Sequence, residues 1–245
     1  MSRGSPFEIW VFLGQSPLLW LTLTLLAYLG AVQLYRRLGN HPLVLPVLTS
    51  VAFIIAVLSL TGTPYATYFE GAKFVHFMVG PATVALAVPL FAQLPRLRRM
   101  WRELSVALLV GSVTAMVSAV GIAWALGGSL ETLLSLLPKS ATMPIAMATA
   151  EQIGGLPSLA AVAVAVTGIS GAIMARPLLN LIGARDPAVR GFSIGITAHA
   201  IGTARALQVH ETIGAFSALA MGLNGVVTAL LAPWVVRLLM SFVGV

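Results

Sequence analysis

The sequence predicts an all-α, multi-pass integral membrane protein, and three observations carry that prediction. Of its 245 residues 58% are apolar and only 9% charged, with a mean hydropathy of +0.97. Apolar runs of about 20 residues recur, the length a helix needs to cross a bilayer. Prolines and glycines interrupt those runs where polar residues collect, so re-entrant or broken helices should accompany the spans, as in carriers built from internal repeats. No polar segment is long enough to form a soluble domain, and residues 1–245 read as a single transmembrane domain.

The net charge of +7 does not describe a nucleic-acid binder. Its cations sit in short clusters at the ends of apolar runs, as in cytoplasmic loops. With no cysteine in the chain, disulfides, thiol catalysis and cysteine-ligated metal are excluded. The first residues lack the basic flank, short apolar core and small-residue cleavage site of a signal peptide, so the first span should stay in the mature protein.

Residues 17–35 form the first expected span, ended by Arg36-Arg37. Pro42 opens the second, which reaches Leu60 before the Thr61–Pro64 turn. Tyr65, Tyr68 and Phe69 suit headgroup depth. The third span, Gly71 to Leu94, is interrupted at Gly80-Pro81 and Pro89, and Arg96, Arg98, Arg99 and Arg102 follow it. Ser105 to Leu126 is the fourth, closed by Gly127-Gly128, and residues 129–137 are amphipathic. Leu156 to Ala175 leads into a second basic loop holding Arg176, Arg185 and Arg190. Gly191 to Leu207 is a weak, small-residue span, and Gly214 to Val236 is the last. Placing all basic loops inside gives about seven crossings plus a re-entrant segment near Lys139, with the N-terminus outside and the C-terminus inside. A faint echo links Glu70–Pro89 to Gly214–Pro233, but this topology runs both copies in the same direction, which does not suit an inverted repeat.

Two polar stretches stand out, Pro138–Gly155 and Gly195–Arg205. Polar residues in a broken helix must face protein or water rather than hydrocarbon, so the two read as walls of one site. In the first, Pro144 suits a first helical turn, Ser140 or Thr142 is the natural N-cap, and the helix should run from Met143 to Ile153 with Gly154-Gly155 closing it. Its free amides and positive dipole end, beside Lys139, suit a small carboxylate anion. The plainer alternative has Lys139 snorkelling to the interface.

In the second stretch, a break at Gly202 would turn Arg205 inward, where a guanidinium can grip a carboxylate through two bonds. Otherwise Arg205 is an interfacial anchor and His199 packs against small residues. Among the two cations of these stretches, the planar fork makes Arg205 the expected principal ligand. Gly202 and Thr203 join the binding set, as does Asn224, which either lines the cavity or ties two helices together. Glu151 and His199 are the candidate proton carriers. Glu70 and Lys73, three apart, should pair with each other. Nothing reads as a nucleotide loop, metal cluster or nucleophile elbow, so no enzyme activity, cofactor or metal is expected.

Several of these motifs resemble the LrgB/CidB family. They are Tyr68-Phe-Glu-Gly-Ala-Lys-Phe74, Gly80-Pro-Ala-Thr-Val-Ala-Leu86, Pro138-Lys-Ser-Ala-Thr-Met-Pro-Ile-Ala146, Glu151-Gln-Ile-Gly-Gly155 and Asp186-Pro187. Arg190-Gly191, His199-Ala-Ile-Gly-Thr-Ala-Arg205 and Gly214-Ala-Phe-Ser-Ala-Leu-Ala-Met-Gly-Leu223 complete the set. The likeness runs from about residue 15 onward; Met143 and Ala150 depart from the family's common Thr and Ser. It implies a bacterial inner-membrane protein, usually encoded with a small holin-like LrgA-type partner and long described as modulating murein hydrolases and lysis. Some members look like carriers of pyruvate-type monocarboxylates, and chloroplast relatives exchange glycolate and glycerate. The family also looks remotely similar to bile-acid-symporter-type carriers with crossing broken helices.

Two function classes follow. The first is a secondary carrier of small monocarboxylates of the glycolate, glycerate or pyruvate type. The second is an antiholin-like regulator of lysis acting through the LrgA-type subunit. Expected partners are therefore a small carboxylate, that subunit and further copies of this chain as a homo-oligomer. The carrier class leads at this stage, because a pure pore regulator has no evident need of a broken polar core.

Overall fold

Proline placement sets most of the helix boundaries. A computed structural model describes residues 16–39, 41 and 44–243; the expected helix opening at Pro42 lies outside the described residues. Every regular element among them is helical. The chain divides into two compact units, residues 1–85 and 86–245.

The first unit holds α1 (Pro17–Arg37), α2 (Pro46–Thr61), α3 (Tyr65–Phe77) and α4 (Val79–Ala85). Pro17 and Pro46 open their helices at the position where a missing N–H costs nothing. Trp20 is wholly buried and meets Tyr68 edge to face at 5.9 Å. Gly71 lets α3 touch α1: a β-carbon there would stand 2.2 Å from the Pro17 carbonyl oxygen. Glu70 and Lys73 form the expected ion pair.

The second unit holds α5 (Ala87–Ala92), α6 (Leu94–Arg99), α7 (Trp101–Ala125), α8 (Leu130–Leu136), α9 (Met143–Ile153), α10 (Pro157–Leu181), α11 (Pro187–Val209) and α12 (Glu211–Val243). The expected interruptions at Gly80-Pro81 and Pro89 fall a little earlier. α3 ends at Phe77 and α4 at Ala85, each four residues before a proline. Those are the carbonyls that Pro81 and Pro89 cannot bond and against which their rings clash.

Helices α7 and α12 run parallel. Leu104 and Leu108 pack with Phe216 and Ala220 near their starts, Ser112 bonds Asn224 halfway, and Met116 and Val120 pack with Ala232 and Val235 further on. The α7/α12 starts carry the basic loops: Arg96 lies over the Phe216 ring and pairs with Asp186.

Helix α11 corrects the sequence reading, because it does not cross. At His199 the backbone turns with φ 38° and ψ −134°. Gly202 then stands against Ile194, where a β-carbon would lie 2.8 Å from Ile194 Cγ2. Eight positions along an unbroken helix are about 12 Å. The two limbs therefore fold back on each other. Gly191 and Gly195 of the first limb meet Ile213 and Ser217 of α12, while Leu207 and Thr203 of the second limb meet Gly214 and Ser217.

Segment 187–209 is thus a re-entrant helical hairpin entering from the arginine-rich side. Among the described residues, five helical stretches are long and apolar enough to cross a membrane: Pro17–Arg37, Tyr65–Ala92, Trp101–Ala125, Pro157–Leu181 and Glu211–Ser241. The other two expected spans are the 16-residue Pro46–Thr61 helix and this hairpin. With α11 removed from the crossings, α12 starts on the arginine-rich side and ends on the opposite one, which reverses the expected inside placement of its end.

Candidate functional site

A second re-entrant element opposes the first. Ser129 caps α8, its Oγ accepting from the Thr132 amide at 3.3 Å. The Ser135 hydroxyl donates to the Glu131 carbonyl at 2.6 Å and accepts from the Leu156 amide at 2.7 Å. Gly155 is pressed on that turn, a β-carbon there lying 2.7 Å from the Ser135 amide nitrogen. From this clamped base, residues 137–142 reach inward and α9 returns. Thr142 is the extended N-cap, Pro144 sits in the first turn, and Gly154 closes the helix at φ 90°. These are the bounds that the proline and the glycine pair predict.

The base of this hairpin packs with the far ends of α7 and α12, through Leu133, Leu137 and Ile153 against Val120, Val235 and Leu239. It enters from the side opposite to α11. The tips of the two hairpins meet halfway. Asn224, wholly buried on α12, donates through Nδ2 to the Ser140 carbonyl at 2.9 Å and the Ile196 carbonyl at 3.2 Å. Its Oδ1 accepts from the Ser112 hydroxyl at 2.6 Å. One carboxamide therefore ties α7, both hairpin tips and α12.

The backbone turns at His199, three residues after Ile196, whose carbonyl accepts from Asn224. His199 is the one non-glycine residue at positive φ among those described, and it is 2% exposed. Its Nε2 lies 2.9 Å from the Val164 carbonyl. A carbonyl only accepts, so Nε2 carries a proton.

Thr203 donates to the His199 carbonyl at 2.7 Å, which leaves Ser217 as donor in the 2.8 Å Thr203–Ser217 bond. Gly168 on α10 makes room for the imidazole: a β-carbon there would lie 2.5 Å from His199 Cε1.

The structure gathers Ser140, His199, Thr203 and Asn224 into these linked networks. Lys139 is half-buried, donates to the Ser140 hydroxyl at 3.4 Å and has no carboxylate partner among the described residues. Thr142 is half-buried and Pro144 exposed, at the start of α9.

Other expectations are corrected. The break falls at His199 rather than Gly202, which is buried where the two limbs touch. Arg205 is half-buried and donates to the Ala172 carbonyl of α10. Glu151, a candidate proton carrier, and Gln152 are exposed on the last turn of α9 rather than gathered at the hairpin tips. Three participants went unnoticed in the sequence: Ser112, Gly168 and Ser217. The Gly168/Gly171 face of α10 was the available signal; Ser112 is one of several hydroxyls in its span and carries none of its own.

Chemically, the junction presents two helix N-termini, those of α9 and of the second α11 limb, and beside them an ammonium that has no carboxylate partner among the described residues. Such an arrangement favours negative charge.

Comparison with known proteins gives a family match. The model of the LrgB-like family matches residues 24–238. The chain is similar to "Uncharacterized protein YxaC" of Bacillus subtilis, with 37% identity over 88% of this chain and 94% of that protein. An uncharacterized protein of Haemophilus influenzae is 34% identical over 90% of this chain and 95% of its own length. "Antiholin-like protein LrgB" of Bacillus mycoides is 28% identical over 94% of this chain and 98% of that protein. No solved structure matches the chain.

Proposed function

The chain belongs to the LrgB-like family, and on that premise we propose that it works as an antiholin-like membrane protein, restraining lysis together with a small LrgA-type membrane subunit. The observation that carries this reading is the end-to-end likeness to relatives named antiholin-like protein LrgB, over 94% of this chain and 98% of the relative. It outranks the carrier class that led from the sequence. The test is expression of the chain with an LrgA-type subunit in a bacterium deleted for its own family members. The pair is expected to slow detergent-induced autolysis and lower murein hydrolase activity relative to empty vector. Unchanged lysis, with both proteins verified in the membrane, would overturn the reading.

A second reading, a carrier of glycolate-, glycerate- or pyruvate-type monocarboxylates, is favoured by one observation: the opposed hairpins whose tips share Asn224. Opposed re-entrant segments meeting at mid-depth suit alternating access. In this reading Lys139 supplies the counter-charge. The hydroxyls of Ser140, Thr142 and Thr203 and the amides at Gly202 and at the Pro144 turn cradle the carboxylate. Asn224 is the hinge, Arg205 braces the second limb, and His199 is the proton carrier. Uptake of labelled glycolate or pyruvate by proteoliposomes holding this chain alone supports it; absence of uptake under both a pH and a sodium gradient removes it.

A further inference from the structure

A cavity of about 390 Å³ opens between α7, α8 and α12, well away from the hairpin tips. Its lining includes Val120, Gly121, Trp124, Leu133, Leu239 and Met240, and every lining residue is apolar or glycine. The volume falls in the range of small-ligand sites, roughly 300–1,000 Å³, yet apart from the Trp124 indole N–H no lining side chain offers a polar group with which a soluble metabolite is oriented. Because α7 and α12 run parallel, the cavity lies where both approach the membrane face opposite the arginine-rich loops.

Two further observations identify what enters it. Trp124 and Trp234 are 60% and 62% exposed, as indoles at headgroup depth are. Arg237, on the same turn of α12 as the lining residues Val236 and Met240, is exposed and held over the Trp234 ring at 5.3 Å. An apolar slot opening at headgroup depth, with an exposed cation on the position next to its lining residue Val236, matches an acyl chain attached to an anionic phosphate. We propose that this cavity holds one acyl chain of an anionic phospholipid whose phosphate pairs with Arg237. The inference is independent of the reading given for the hairpins.

Gly121 provides a clean test, since a β-carbon there would meet nothing within 4 Å. Gly121→Leu fills the slot without a backbone clash and removes a glycine from a helix interior, so its fold should hold. Wild type, Gly121→Leu and Arg237→Gln are purified and exchanged into detergent with added phosphatidylglycerol or phosphatidylcholine, then followed by native mass spectrometry and thermal melting. Wild type should retain a phospholipid and melt higher with phosphatidylglycerol than with phosphatidylcholine. Gly121→Leu should lose the retained lipid, and Arg237→Gln should keep a lipid but lose the headgroup preference. Equal retention by wild type and Gly121→Leu would overturn the proposal. So would equal response of wild type to the two lipids, or a second copy of the chain in place of the lipid.

Discussion

Gly168 of α10 and the imidazole of His199 share one space: a β-carbon on residue 168 would lie 2.5 Å from Cε1 and 2.7 Å from Nε2. His199 is fixed there by the Val164 carbonyl, at a positive φ that only glycine adopts freely. Gly168→Ala should therefore destabilise the protein by about 1–3 kcal/mol, the usual cost of overpacking. His199→Gly relieves both the clash and the backbone strain. In a double-mutant cycle by thermal melting in detergent, the pair should cost less than the sum of the singles. Strict additivity would mean that the two residues do not meet.

Asn224 should be the least replaceable polar residue of the second unit. Asn224→Leu strands the Ser112 hydroxyl and the Ile196 and Ser140 carbonyls in a buried place. Each stranded group costs roughly 1–3 kcal/mol. Loss of folded protein in gel filtration, or a large fall in melting temperature, is the expected outcome; a variant that melts as wild type does would deny the three-way bridge.

The base of the α11 hairpin gives a pH dependence with a definite sign. Burial pushes the Asp186 carboxyl upward. The amides of Val189 and Ala188 and the guanidinium of Arg96 outweigh it and hold that carboxyl below its ordinary value. A depressed folded pKa contributes stability that is present above the unfolded value, near 3.9 for Asp, and lost as pH falls through the folded one. Melting temperature should thus fall on acidification below about pH 4, with a shallower fall in Asp186→Asn. The pair is partly exposed, so the difference is small.

If the carrier reading holds, the cations rank in the reverse of the order expected from the sequence. Lys139 at the hairpin tip donates to the Ser140 hydroxyl at 3.4 Å and has no carboxylate partner among the described residues, whereas Arg205 is engaged with the Ala172 carbonyl. Lys139→Gln should weaken carboxylate binding about 10- to 100-fold, the worth of a charged hydrogen bond. Arg205→Lys, which keeps a donor for Ala172, should change it little. Titration of glycolate and pyruvate into purified variants decides the ranking.

Much of the site was legible because proline and glycine chemistry is local. Pro144 and Gly154 mark both ends of α9, so Met143–Ile153 emerges at its observed bounds. The α11 break was placed three residues late for a tertiary reason. Gly202 looks like the weak point, yet it serves close packing against Ala198 and Ile194, while the turn falls on a histidine. That turn is held by groups remote in sequence: Asn224 on the Ile196 carbonyl, Val164 on the ring, and the missing side chain at Gly168. Hydropathy cannot register a reversal inside an apolar segment either, which is why segment 187–209 reads as a crossing.

The reversal at His199 is the central claim, and one labelling experiment addresses it. The chain has no cysteine, so single cysteines at Arg185→Cys and His210→Cys report only their own positions. Membrane-impermeant maleimide is applied to right-side-out and to inverted vesicles. Both cysteines should label from the same side, the one that carries the arginine-rich loops, because 187–209 enters and leaves by one face. Labelling of Arg185→Cys and His210→Cys from opposite sides would show a crossing helix and contradict the account.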